Sequence, residues 1–104
     1  MKDIIGNKQI DKVDIQILHN LYINNKLNEL NSFKIKEIIE CTNNCFNLSY
    51  YTYVNRVNKL LEYGLIGEGI KDIKAKTFYI SKNGIDYMEN NVFNKINVYD
   101  VEEN

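Results

Sequence analysis

The sequence has no proline, no tryptophan, two cysteines, one histidine and five glycines among its 104 residues. Each shortage removes a class of protein. Cys41 and Cys45 are too few for a disulfide framework, and two thiols suit a reducing compartment. With His19 they make at most three soft ligands, one short of a tetrahedral structural zinc site, so no metal or cofactor is expected. Cys41 is expected to pack at the end of a helix. No Ser or Cys sits in a nucleophile motif, and nothing else makes a catalytic constellation, so the chain is not expected to be an enzyme. Gly64, Gly67 and Gly69 fall at turn and strand spacings and do not form a phosphate loop. No window approaches a membrane-spanning apolar run, and Met1-Lys2-Asp3-Ile4-Ile5-Gly6 has neither a signal core nor a cleavage site. A cytoplasmic protein without membrane contact is the expectation.

What is abundant is equally plain. Asn (17), Ile (15), Lys (12) and Tyr (8) supply half of the chain. All four have A/T-rich codons, which points to a low-GC bacterium or its phages and plasmids and says nothing about the fold. Net charge is −1, but it is unevenly spread. Residues 1–25 balance to zero, residues 26–82 carry nine Lys or Arg against six acids, and residues 83–104 carry one Lys against five acids. A mildly basic middle beside an acidic end fits a chain with one face toward phosphate.

The chain length allows one domain, taken as residues 1–98, followed by an acidic tail over 99–104. Apolar residues at Ile10, Val13, Ile17 and Leu21, widened by Ile15, Leu18 and Tyr22, give a helical stripe. Asp11 is a suitable N-cap, Ile10 and Ile15 are placed for a hydrophobic staple, and Asn24-Asn25 ends the helix. A polar connection over 26–32 leads to Ser32, expected to cap a second helix carrying Phe33, Ile35, Ile38 and Ile39. Ser49 caps a third helix from Tyr50 to Tyr63, with Tyr50, Tyr53, Val54, Val57, Leu60 and Leu61 on its apolar face. Gly64 then stands where a left-handed C-cap is wanted. The period next shifts to two: Leu65–Ile70 and Lys76–Ser81 read as strands, with Lys71-Asp72-Ile73-Lys74 as the tip between them. Ser81 caps a last helix from Lys82 to about Ile96.

Helix, helix, helix, basic hairpin, helix is the order of a winged helix–turn–helix. The run Arg56-Val57-Asn58-Lys59-Leu60-Leu61-Glu62-Tyr63-Gly64-Leu65-Ile66 resembles a recognition helix passing through its glycine into the wing. Thr77-Phe78-Tyr79-Ile80-Ser81-Lys82-Asn83-Gly84-Ile85 resembles the wing's return strand entering the last helix through a Ser-x-x-Gly turn. The resemblance covers roughly residues 10–95. It implies an α+β, mainly α, fold of three helices, a two-stranded β wing and a C-terminal helix, binding double-stranded DNA as a homodimer. Within that class the short chain also resembles the small winged-helix centromere-binding adaptors of plasmid and phage partition systems. That resemblance implies repeated DNA sites and a tubulin-like, filament-forming nucleotidase as partner.

In such a fold the third helix enters the major groove. Removing its apolar face leaves Tyr51, Thr52, Asn55, Arg56, Lys59 and Glu62 expected outward. Forked Arg56 suits guanine and Asn55 suits adenine; Ser49, Tyr51 and Lys59 suit phosphate. An outward Arg56 would be replaceable at little cost to stability. Lys71, Lys74 and Lys76 of the wing are expected on the DNA backbone, although a tip without arginine is a poor minor-groove wedge. Ile85, Met88, Val92, Phe93 and Ile96 form an apolar stripe on the last helix, expected to hold a dimer together with the first helix. A transcriptional regulator and a partition adaptor both fit. The alternative from another class is a winged helix used only for protein–protein contact, favoured by the net charge and by Glu62 beside Lys59.

Overall fold

Asp11 begins the first helix twice over. Its carboxylate accepts from the N–H groups of Val13 and Asp14 at 3.1 and 3.2 Å, and the Asp14 carboxylate accepts from the Asp11 N–H at 3.1 Å. That reciprocal box satisfies donors that a helix start otherwise leaves orphaned. The computed structural model describes residues 2–5, 8–43 and 45–93. Within them α1 spans Lys12–Ile23 and buries Ile17, Leu18 and Leu21, the stripe read from the sequence.

Before α1 stands a feature that helical periodicity did not reveal: β1, Lys2–Ile5, pairs antiparallel with β2, Lys8–Asp11. A second difference follows α1. Ser32 does not cap a helix; its hydroxyl donates to the Glu29 carbonyl at 3.4 Å. Phe33–Lys34 is instead a short strand, β3, and α2 spans Ile35–Thr42, its start closed by the Glu37 carboxylate accepting from the Lys34 N–H at 2.9 Å. Tertiary pairing overrides local helical preference here, because Phe33 and Lys34 register with Phe78 and Thr77 of β5. The expected two-stranded wing is therefore the larger part of a three-stranded antiparallel sheet in the order β3–β5–β4, with β4 over Ile66–Glu68 and β5 over Thr77–Ile80. Beyond β3, the edge continues as backbone hydrogen bonds from Ile80 to Lys26 and from Ile70 to Glu29.

The third helix, α3, spans Tyr50–Glu62 as the sequence indicates. Its end is a Schellman motif: Gly64 N–H donates to the Leu61 carbonyl and Leu65 N–H to the Leu60 carbonyl, both at 3.0 Å. Gly64 supplies the required left-handed backbone, with φ +77°. Ser81 then links this turn to the last helix, donating through its hydroxyl to the Gly64 carbonyl at 2.7 Å and accepting from Gly84 N–H at 3.2 Å. The last helix, α4, spans Lys82–Met88 and passes into a π-helical turn over Glu89–Phe93. The stretch toward Ile96 and the boundary at 98 lie outside the described residues.

One core joins these elements: Ile10, the α1 stripe, Ile38, Tyr53, Val57, Leu60, Leu65, Ile66, Phe78, Ile80, Tyr87 and Met88. The Tyr53 hydroxyl is kept inside by the Thr42 hydroxyl at 3.2 Å, which itself donates to the Ile39 carbonyl. Tyr50, expected on the apolar face, is 55% exposed, and Cys41, expected to pack, is exposed. Met88 corrects the reading of α4 as a free apolar stripe, because it is fully buried in its own chain. Ile85 and Val92 are half-buried against the same core. The seven-residue α4 turns its apolar face onto α1 and the sheet, and this covers what the sequence left open.

A side chain at Gly84 would meet the Leu65 carbonyl at 2.0 Å, so α4 seats on the α3–β4 turn only because this position has no Cβ. Gly84→Ala should lower unfolding stability by about 2 kcal/mol through overpacking. Chemical denaturation checks this, and an unchanged midpoint would contradict the seating.

Candidate nucleic-acid interface

The outward ridge of α3 runs Tyr51, Asn55, Asn58 and Glu62, at helical three- and four-residue spacing, and all four are exposed. Tyr51 is 78% exposed and stands edge-on to Tyr50, with ring centroids 6.3 Å apart. At the start of the helix the Ser49 hydroxyl caps Thr52 N–H at 3.2 Å and bonds the Thr52 hydroxyl at 3.0 Å. Asn58 was missed in the sequence reading. The signal was present, since position 58 continues the 51–55 ridge.

Arg56 and Lys59 are elsewhere. The expectation that both point outward is corrected: they lie on the flank of α3 that faces the beginning of α1. The Arg56 guanidinium pairs with the Asp11 carboxylate and approaches Asp14 at 3.5 Å. Lys59 Nζ reaches Asp14 at 2.5 Å and also donates to the Gln9 carbonyl at 3.3 Å. The Asp14 side chain is completely buried, whereas about a quarter of Arg56 and Lys59 remains exposed. Partial burial alone would raise the Asp11 carboxyl. The Arg56 hydrogen bond and the Asp14 N–H outweigh it and bring its pKa to about 2. The same pair raises the Arg56 pKa, so the cluster holds two cations against two carboxylates.

The wing stands on the other flank of α3. A cleft of about 330 Å³ separates them, lined by Tyr50, Val54 and Asn58 on the helix side and by Lys74, Ala75 and Lys76 on the wing side. The tip is tied back to the start of α2 by Lys34 Nζ on the Asp72 carboxylate at 3.1 Å. Lys76 lies 3.9 Å from Glu68, while among the described residues neither Lys71 nor Lys74 has an acidic partner. The site residues thus fall in two groups. Ser49, Tyr51, Thr52, Asn55, Lys71, Lys74 and Lys76 border the outward side of α3 and the wing, and Arg56 and Lys59 belong to the ion cluster. The described residues contain no group of three or more His, Cys, Asp or Glu placed to hold a metal ion. They also contain no helix long and apolar enough to cross a membrane.

Three helices, a β wing packed beside the third, and a closing helix define a winged helix–turn–helix protein. The solved structure of the DNA-binding TubR fragment from Clostridium botulinum matches it at 32% identity with a TM-score of 0.60, over 77% of this chain and 94% of that one. The chain belongs to the TubR family. The ST1889 protein from the thermoacidophilic archaeon Sulfolobus tokodaii shares the fold at 21% identity and a TM-score of 0.53, over 91% of this chain and 85% of that one. No family model and no curated protein matches the sequence.

The ion cluster makes acid sensitivity a test of its geometry. An unfolded aspartate titrates near 3.8 and folded Asp11 near 2, so the stabilisation is complete above pH 3.8 and is lost as pH falls through 2. Stability should drop by about 1 kcal/mol across that window, the scale of a pair touching solvent. Asp11→Asn keeps a capping side chain and should abolish that part of the profile; a profile identical to the parent would contradict the pairing. Arg56→Ala is likewise not neutral. Leaving a buried carboxylate with one cation should cost about 1–3 kcal/mol, measured by urea unfolding.

Proposed function

We propose that this protein binds double-stranded DNA sequence-specifically as a homodimer and serves as the centromere-binding adaptor of a plasmid or phage partition system. A filament-forming nucleotidase is then its protein partner, the cytoplasm its location, and its role one of binding without catalysis. The observation that carries this reading is the 32% identity to a DNA-binding TubR fragment, nearly all of which the chain spans. The geometry supports it. A helix of this width fits the major groove, and the amide forks of Asn55 and Asn58 match adenine edges there. Ser49 and Tyr51 at the helix start suit phosphate, where backbone N–H groups and the helix dipole also favour an anion. Lys71, Lys74 and Lys76 extend the contact to the flanking backbone. Bound at a promoter, the same surface represses transcription.

Dimerisation rests on need: among the described cations of α3 and the wing only Lys71 and Lys74 lack an acidic partner, and two chains double the phosphate contacts. The apolar residues left for it near the C-terminus are the outer parts of Ile85 and Val92, together with Phe93 and Ile96, whose side chains lie outside the described ones. Sedimentation equilibrium at micromolar concentration should give the dimer mass. One observation favours the second reading, a protein-interaction module: Arg56 and Lys59 are neutralised within the chain. Electrophoretic mobility at low salt with genomic DNA fragments separates the two, since no shift at any concentration eliminates the DNA-binding reading.

Asn55→Ala and Asn58→Ala should each weaken specific binding by about 1–3 kcal/mol while changing folding stability by less than about 0.5 kcal/mol. Replacing Lys71 and Lys74 by Ala should weaken binding to every sequence and flatten the salt dependence by up to about 0.9 per lost contact. Fluorescence anisotropy over a salt series reads both effects, and an unaltered slope would remove the wing from the interface.

A further inference from the structure

Asp72 and Ala75 exchange reciprocal backbone hydrogen bonds, each 3.0 Å, so Ile73 and Lys74 are the two central residues of a tight hairpin loop. Ile73 has φ +60° and Lys74 is not among the residues with positive φ. Positive at the first central position only is the sign pattern of a type II′ turn, whose first position ordinarily holds glycine. A β-branched residue there is a genuine outlier. No burial among the described residues repays it: Ile73 is 92% exposed, the most exposed of the large hydrophobic residues described. Glycine would build the same turn without strain and without presenting an apolar side chain to water. Strain of this kind collects at functional sites.

The surroundings state what the side chain is for. Among the described residues Lys71 and Lys74 flank it without acidic partners, and the Asp72–Ala75 exchange and the Lys34–Asp72 pair tie the loop back toward the start of α2. An apolar point between two ammonium groups fits a slot with anionic rims and an apolar interior. The minor groove of a DNA duplex is such a slot, with phosphates at its edges and stacked bases behind them, and apolar side chains are known to wedge between base steps there. An anionic membrane surface offers a similar combination, but the wing borders the outward amides of α3, which match base edges and not lipid. We propose that Ile73 is a minor-groove wedge that partly unstacks a base step and bends the DNA, with Lys71 and Lys74 holding the adjoining phosphates. This inference rests on the DNA-binding reading above. It supplies the wedge that a lysine-only tip lacks, and flexible pyrimidine–purine steps are where it acts at least cost.

The test uses the full chain and a short A/T-rich duplex carrying a fluorescent adenine analogue at T-A steps and a donor–acceptor pair on its ends. The parent protein should brighten the analogue and bring the ends together. Ile73→Gly should melt at the same or a higher temperature, bind within a few fold of the parent, and leave both signals at their free-duplex values; Ile73→Phe should keep both. Bending and unstacking by Ile73→Gly equal to the parent would overturn the wedge, as would a parent that binds without bending. Failure of the parent to bind any duplex at low salt would instead remove the DNA-binding reading itself. Loss of binding to anionic phospholipid vesicles in Ile73→Gly, with DNA bending unchanged, would also overturn the wedge in favour of a membrane contact.

Discussion

The carboxylate of Asp14 is the point on which the rest of the interface turns. It is fully buried at the start of α1, and it meets both Lys59 and Arg56 of α3. A buried carboxylate without cations would be prohibitive, so α3 must present residues 56 and 59 on that side. Fixing that flank fixes the roll of the helix about its axis. Tyr51, Asn55, Asn58 and Glu62 face outward because Arg56 and Lys59 face inward. The polar cluster therefore specifies orientation, a role buried ion pairs fill better than that of adding net stability. Lys59 extends the constraint to the N-terminal hairpin through the Gln9 carbonyl.

A second clamp sets the wing. β5 lies between β3 and β4, so the wing is anchored through Phe78 to the segment that opens α2. Lys34 belongs to that same segment and reaches across to Asp72 at the tip. The α2 start and the wing are thus joined by strand pairing and an ion pair, and α3 packs with them through the shared core of Tyr53, Val57 and Leu60. The helix ridge and the wing tip stand on either side of one cleft, the ridge backed by the cluster of Arg56 and Lys59 with Asp11 and Asp14, the tip by the Lys34–Asp72 pair.

The helices were legible where capping chemistry and periodicity agreed. Asp11, Ser49, Gly64 and Ser81 each mark a boundary that the structure keeps, because each acts within a few residues of chain. The missed elements depend on distant partners. Phe33-Lys34 has a helical neighbourhood, and only Phe78 and Thr77, far along the chain, make it a strand. The N-terminal hairpin pairs two four-residue arms that lack the alternation of a half-buried strand, so periodicity does not mark them. Arg56 was misplaced for a related reason. Helical spacing gives the angle between residues on α3 but not the direction of the core, and a salt bridge to residues some forty positions earlier has no sequence signature. Ile73 was visible as a tip residue; its strained backbone was not.

The ion cluster also bears on how a chain of net charge −1 would hold a polyanion. Electrostatic affinity for DNA grows with the number of phosphates neutralised, and a cation already paired to a carboxylate displaces few counterions when it nears one. Both cations of α3, Arg56 and Lys59, are paired in this way. The wing lysines and the helix start then carry most of what a single chain contributes. Under the proposed function, one copy on one site is a weak complex, and useful occupancy comes from linking several such contacts, in a dimer and along repeated sites. Linked contacts multiply through effective concentration without any new interaction at the single-chain level. A weakly charged subunit gains from that arrangement what a strongly basic one lacks: it releases isolated sites readily and remains on arrays. The internal pairing of Arg56 and Lys59, an objection to DNA binding by one chain, is in that setting a source of selectivity for many sites over one.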